Sequence, residues 1–386
     1  MSYVYGVRGY VRKALFLLLC LFLGPKPAFA QEERAPLAPP YATDPERSTL
    51  QFHFQNLTLP EGLFFEKSNT LKVIESMPPI RNQKKRGSCS AFSTVAALEY
   101  YLITQKNLPQ NIDLSEQWIY FLAVRDSVAE GSTSLRNLLF LRSFGIPNEE
   151  LWPYTTSIWR NTKRGEAKQR CGYIQEERTQ RSCLIGHRDS RLITVDDKDL
   201  LTQGSVYYDP EFYTIKEEAK SFRAQYLKDM PPQFIVDNEM QIKNLLQRGI
   251  PVIADIHEVY YQAWSHPKSE SLHLNRDMER WQKGIVTYPE VGSLDRIRSA
   301  SLKSGHSIVI VGYDDTKEIN YEYQTANGGR AYKTRKGVYY FRNSWGTDDF
   351  GSHAQVDGHR TPGYGMITQD YANEFGKFYS LPLDWK

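Results

Sequence analysis

Cys89 is the residue whose surroundings in this 386-residue chain bear most directly on chemistry. It follows Lys84, Lys85, Arg86, Gly87 and Ser88, and it precedes a run in which Phe92, Val95, Ala96, Leu98 and Leu102 recur at helical spacing. A thiol becomes a nucleophile near neutral pH when its pKa is lowered, a base manages its proton and a cleft exposes it. The helix start answers the first need, because the amides and dipole of a helix N-terminus favour a thiolate, and the three basic residues add positive potential. Position alone does not decide the matter, since a cysteine before an amphipathic helix reads equally as a small core residue. The remaining cysteines narrow the choice. Cys20 lies in an apolar N-terminal run, which leaves Cys89, Cys171 and Cys183, an odd number. Cys171 and Cys183 stand twelve residues apart in a polar segment and could close a disulfide, leaving Cys89 as the free thiol. A second reading joins His187 to that pair as metal ligands, although the spacing matches no common zinc pattern.

The elements that must position Cys89 can be read from periodicity and punctuation. The first half is helical: after 91–102 comes a second helix over 115–124 with Ser115 as its cap, then a third over 135–144 stopped by Gly145. Residues 155–235 are charged and irregular, and read as a large insertion with some helix or strand of its own. The second half turns to strand. A helix over 239–248 precedes a strand at 251–256, and 307–313 and 338–341 are β-rich runs bounded by glycine and charged turns.

Three segments stand in a fixed order along this framework. The first is Pro79-Ile80-Arg81-Asn82-Gln83-Lys84-Lys85-Arg86-Gly87-Ser88-Cys89-Ser90-Ala91-Phe92-Ser93-Thr94. The second is Ser304-Gly305-His306-Ser307-Ile308-Val309-Ile310-Val311-Gly312-Tyr313, and the third is Asn343-Ser344-Trp345-Gly346-Thr347. Together they resemble the active-site segments of papain-like cysteine peptidases. The resemblance extends through Asp113-Leu114-Ser115-Glu116-Gln117, Gly145-Ile146, Glu150-Leu151-Trp152-Pro153-Tyr154, Gly249-Ile250-Pro251-Val252 and Gly284-Ile285, covering about 59–154 and 236–350. It implies an α+β, two-lobed papain-like fold in which a helical lobe packs on a β-barrel-like lobe with the active site between them. It implies Cys89 as nucleophile, His306 as general base and acid, and Asn343 as the group that orients the imidazole under the cover of Trp345. Gln83 and the Cys89 amide would stabilise the oxyanion. Gly131 and Ser132 would meet the substrate backbone, with Trp345 on the same cleft. The chemistry so implied requires no metal and no organic cofactor, and its partner is a protein or peptide substrate.

The chain also departs from the family. Ser90 replaces the aromatic residue after the nucleophile, Arg86 replaces a cysteine whose disulfide would brace the glutamine loop, and Ser132 replaces the second glycine of its pair. These changes predict a more mobile oxyanion loop and altered binding of the leaving side. His306 follows Cys89 at an interval longer by about 70 to 90 residues than the family's usual 130 to 150. Segments 155–235 and 260–300 would absorb the excess as surface loops rimming the cleft, and 348–361 would be a further insertion. The long inhibitory pro-segment of the family has no counterpart before residue 59, so the arm at 31–50 or the insertion is expected to cover the cleft instead.

Composition agrees with a folded enzyme. With 40% hydrophobic, 24% charged and 13% aromatic residues the chain is globular rather than disordered or collagen-like. A net charge of +3 without a basic, aromatic-studded stripe gives no basis for nucleic-acid binding. Arg8, Arg12 and Lys13, the apolar run 14–23 and Ala28-Phe29-Ala30 read as a secretory signal over 1–30, with an uncleaved anchor as the competing reading. After cleavage no membrane span remains, and the expected location is secreted or extracytoplasmic. The expected organisation is a Pro-rich arm over 31–58 and a peptidase domain over 59–386, with a helical lobe at about 75–235 and a β lobe at about 236–386. The expected activity is hydrolysis of peptide bonds through an acyl-enzyme. Two rivals are a catalytically inactive peptide-binding or inhibitory module and a Cys-His acyl transferase.

Overall fold

A computed structural model describes residues 65–125, 127–231 and 234–381. The expected signal and arm, 1–58, lie outside the described residues. Among those described, two large hydrophobic cores organise the chain, one mainly helical and one built on a sheet, and a small third one gathers around Cys171 and Cys183.

The chain enters through α1 (Thr70–Glu75), which packs on a strand of the sheet, and then runs into α2 (Cys89–Lys106). Every residue of α2 from Cys89 to Leu102 is buried. The reason is its place between the cores: Ala96 and Tyr100 join the sheet's core, whereas Ala91, Val95, Leu98 and Leu102 join the helical one. A helix covered on all sides needs no polar face. Next come α3 (Glu116–Ala123), capped by the Ser115 hydroxyl accepting from the Trp118 amide, and α4 (Ser134–Phe144), ended by Gly145.

The insertion is the main departure from expectation. It folds as α5 (Gly165–Cys171), α6 (Glu177–Gly186), a 3-10 turn at Ser190–Ile193, α7 (Asp197–Leu201), α8 (Pro210–Phe222) and a π-helical stretch at Arg223–Leu227. These are not surface loops. Phe212, Ile215, Ala219 and Leu227 are fully buried and share one core with Trp118, Phe121 and Trp152 of the helical lobe. Phe212, Ile215 and Leu227 each contribute about 1.5–3 kcal/mol of burial. The periodicity of the segment is masked by its many charges, some of which are internal: the Arg188 guanidinium, fully buried, pairs with Asp209 and Glu211. Cys171 and Cys183 form a disulfide joining α5 to α6, which removes them from any metal site with His187.

The sheet comprises β1 (Ile235–Val236), then beyond α9 (Glu239–Gln247) β2 (Val252–Ile256), and beyond α10 (Lys268–Ser271) and α11 (Met278–Lys283) β3 (Ile285–Val286). After α12 (Leu294–Ser299) and a 3-10 turn at Ala300–Leu302 come β4 (His306–Gln324) and β5 (Arg330–Arg342). The short pair β6 (Gln355–Val356) and β7 (His359–Arg360) precedes β8 (Tyr364–Thr368), α13 (Gln369–Phe375) and β9 (Gly376–Tyr379). Strand order in the seven-stranded sheet is β1-β9-β2-β4-β5-β8-β3, antiparallel except where β3 meets β8. β2 is buried throughout, as is β4 from His306 to Asp314, because α2 covers one side of the sheet there. β4 and β5 run well past their expected ends as a long hairpin, in whose outer half Ile319 and Tyr321 are buried and alternate with polar residues.

Candidate active site

Cys89 is the first residue of α2 and the cysteine outside the disulfide among the described residues. Ser88 stands at the cap position but makes no side-chain cap; its hydroxyl lies 2.6 Å from the Tyr154 hydroxyl instead. The positive end of a long helix therefore points at the thiol without a side-chain cap to satisfy it.

His306 opens β4, and its partner across β2 is Ile256. Its Nε2 lies 2.8 Å from Asn343 Oδ1, so that Nε2 carries the proton and Nδ1 is left as the acceptor. Nδ1 makes no hydrogen bond. Asn343 Oδ1 also accepts from the Ser344 amide at 2.8 Å, which fixes the side-chain amide. Burial pushes the imidazole down to about 4, and the Asn343 bond draws it partly back. Trp345 stacks on the imidazole at 4.5 Å between ring centroids.

The Gln83 loop is joined to the Asn343 loop by direct bonds. The Gln83 amide donates to Ser344 O at 2.8 Å, Asn82 Nδ2 to Trp345 O at 3.1 Å, and the Gly346 amide to Arg81 O at 3.2 Å. The Gln83 side chain is held at both ends: Ser344 Oγ donates to its Oε1 at 2.5 Å, and its Nε2 donates to Arg86 O at 2.8 Å. Residues 261 positions apart in sequence are thereby brought together, with Cys89 one short loop beyond Gln83.

Gly131 adopts φ +114, a backbone state that side chains disfavour. Ser132 and Ser90 turn out to be connected. Ser132 Oγ donates to Asn137 Oδ1 at 2.7 Å, and Asn137 Nδ2 donates to Ser90 Oγ at 3.1 Å. All three are buried, so Ser90 is not an exposed gap at the helix start but a hydrogen-bonded contact with the Gly131 loop.

Several residues of the site were not anticipated. Trp281, from the segment expected to be surface loop, stacks on Trp345 at 5.6 Å and is held by its Nε1 donating to Asp349 at 2.6 Å. Trp264 meets the His306 ring edge-on at 5.5 Å. His266 packs in this same aromatic wall against Trp281 and Trp345. The density of aromatic residues over 259–288 was the available signal. The arrangement as a whole has a thiol at a helix N-terminus, an oriented imidazole with an open nitrogen, and an immobilised amide donor, the parts needed for nucleophilic attack on a carbonyl.

Comparison with known proteins identifies the family. The sequence profile described as "Papain family cysteine protease" matches residues 68–362. "Peptidase 1" of Psoroptes ovis is 30% identical over 134 residues, 31% of this chain and 41% of the relative, and "Peptidase 1" of Dermatophagoides farinae is 26% identical over 160 residues, 38% and 49%. The matched stretch thus spans less than half the length of these curated relatives. Xylellain, a cysteine protease from Xylella fastidiosa, superposes with a TM-score of 0.45 at 14% identity, covering 91% of this chain and 98% of that one.

Proposed function

Because the chain belongs to the papain family of cysteine proteases, we propose that it is an exported thiol peptidase using Cys89, His306 and Asn343, with Gln83 at the oxyanion. The observation that carries the reading is the His306 to Asn343 bond at 2.8 Å, which orients a ring whose other nitrogen makes no hydrogen bond. In this mechanism the Cys89 thiolate attacks a peptide carbonyl, and the oxyanion takes hydrogen bonds from the Cys89 amide and the Gln83 side chain. The Gln83 Nε2 that donates to Arg86 O carries two N–H groups and in this reading also donates to the oxyanion. The amine leaves with a proton from His306 Nδ1, and water, deprotonated at that nitrogen, then cleaves the thioester. Burial makes a lone imidazolium costly in this site. The ring therefore gains its proton together with ionisation of the thiol, and the two titrate as a pair. Gly131 and Ser132 meet the substrate backbone, and the substrate lies between the lobes.

Export is supported by the secretory pattern over 1–30 and by the Cys171 to Cys183 disulfide, a bond characteristic of oxidising compartments. Among the described residues no helix is long and apolar enough to cross a membrane. The domain reading carried with this proposal is a removable 1–30, an arm at 31–58 and a peptidase domain beyond.

The decisive measurement pairs turnover of a fluorogenic peptide with mass-spectrometric mapping of an epoxysuccinyl label. Wild-type protein should be labelled at Cys89, and Cys89→Ala should lose about 10⁴-fold or more in kcat. A folded wild-type protein that neither takes the label nor cleaves any peptide of a diverse library would overturn the reading in favour of a non-catalytic module.

A further inference from the structure

Arg86 occupies the position three before Cys89, is 1% exposed, and has no part in the mechanism above. Burying a guanidinium is costly unless its donors are matched. Here they are matched by four separate elements. Nη1 donates to Gln117 Oε1 at 3.0 Å and to Thr155 O at 2.8 Å, Nη2 donates to Ile185 O at 2.5 Å, and Nε faces Glu130 Oε1 at 3.4 Å. Its plane lies over the Tyr120 ring at 4.4 Å, with Tyr154 at 5.6 Å. The Tyr154 hydroxyl in turn donates to Gln83 O at 3.0 Å, and Tyr120 donates to the same Glu130 oxygen at 2.8 Å.

Two features of this web point to function. Its ends are the groups the proposed chemistry needs: the Arg86 carbonyl accepts from Gln83 Nε2, and Glu130 precedes Gly131. Its acceptors include the last turn of α6, since Ile185 O binds Arg86 and Gly186 O accepts from Gln117 Nε2 at 3.0 Å. The negative end of an insertion helix thus meets the buried cation. The expected loss of a disulfide brace at this position is made good by a charge.

We propose that Arg86 is the positioning residue of the oxyanion loop, and that the insertion serves the active site by supplying, through α6, the carbonyl groups that hold it. This rests on the peptidase reading but concerns a residue that touches neither substrate nor thiol. Arg86 acts through Gln83: it fixes the carbonyl that orients the amide, and the amide faces the transition state. Lysine cannot replace it, because an ammonium lacks the planar fork and the ring stacking.

The test is kinetics per active site, with sites counted by epoxysuccinyl titration, on Arg86→Met, Arg86→Lys, Gln83→Ala and the double variant Arg86→Met/Gln83→Ala. Both Arg86 variants should lower kcat per titrated site by about 10- to 100-fold with KM little changed. In the Gln83→Ala background, Arg86→Met should cost less than about threefold, because the group it positions is gone. A purely structural role predicts fewer titratable sites with unchanged kcat per site, and that result in Arg86→Lys, the variant that keeps the charge, overturns the proposal. So does a full multiplicative loss in the double variant. A wild-type protein without thiol-dependent turnover fails the peptidase reading and this inference with it; an active wild type with kcat-neutral Arg86 variants fails this inference alone.

Discussion

At the residue scale, the candidate site is defined by what burial does to side chains that can carry charge. His266 is 1% exposed, its Nδ1 accepts from the Lys268 amide at 3.1 Å, and burial together with the Lys268, Arg276 and His306 charges pushes it down to about 3. His187 is pushed down to about 3 and His306 to about 4, in each case first by burial. A histidine with a depressed folded pKa binds fewer protons folded than unfolded. Its contribution to stability is therefore present above its ordinary value of 6.5 and is lost as pH falls towards the folded value. Glu149 has the opposite sign: burial raises it to about 8, so its contribution is lost as pH rises from 4.5 towards 8. Comparing a variant with wild type separates these terms. His266→Gln should unfold with a shallower acid limb, the difference reaching about 1.4 kcal/mol per pH unit between pH 6.5 and 4.5 in urea titrations. Parallel acid limbs would show that His266 is protonated in the folded protein.

At the element scale, the insertion is fastened to the helical lobe by contacts that allow no side chain between them. Gly145, at the end of α4, has φ +72, and a Cβ built there would lie 2.0 Å from Ala219 O and 2.7 Å from the Arg223 Cβ on α8 and its π-helical extension. The nearest obstacle is backbone, which cannot swing aside. Gly204 has a similarly positive φ of +90 with nothing within 4 Å of such a Cβ. The pair separates backbone strain from close approach: Gly204→Ala should cost about 1–2 kcal/mol and Gly145→Ala roughly 3–5 kcal/mol in equilibrium unfolding. Equal losses at the two positions would mean that α8 does not sit against α4.

At the scale of the whole molecule, the insertion is part of the fold and not an ornament on it. Phe212 packs between Trp118, Phe121 and Trp152, so removing 160–228 would strip the helical core of one wall. A protein lacking those residues, bridged by a short flexible linker, should lose cooperative thermal unfolding and expose surface that binds a hydrophobic dye. A sharp transition near the wild-type temperature would restore the picture of an appended loop. The other added segment behaves similarly, since Trp264 and Trp281 build the wall behind His306 and Trp345.

How much of this was legible in the sequence follows from where each signal resides. Gln83, Cys89, His306, Asn343 and Trp345 could be singled out because each sits in a short, recognisable segment of sequence, although the bonds that hold them, such as Ser344 to Gln83 and Asn343 to His306, come from distant segments. The helices read over 91–102, 115–124 and 135–144 were equally plain, since caps and apolar spacing are local, although the first in fact runs from Cys89 to Lys106. Only the tertiary structure decided what closes around them. Arg86 reads in sequence as a lost cysteine, and becomes a brace because Gln117, Thr155, Ile185 and Glu130 arrive from four places in the chain. Ser90 reads as a missing aromatic until Asn137 binds it to Ser132. The charged insertion hides its core because its apolar residues are spread over short helices and paired with buried ions. Local chemistry determined which residues could react; long-range packing, which satisfies each buried charge and hydrogen bond from distant segments, decided how they are held.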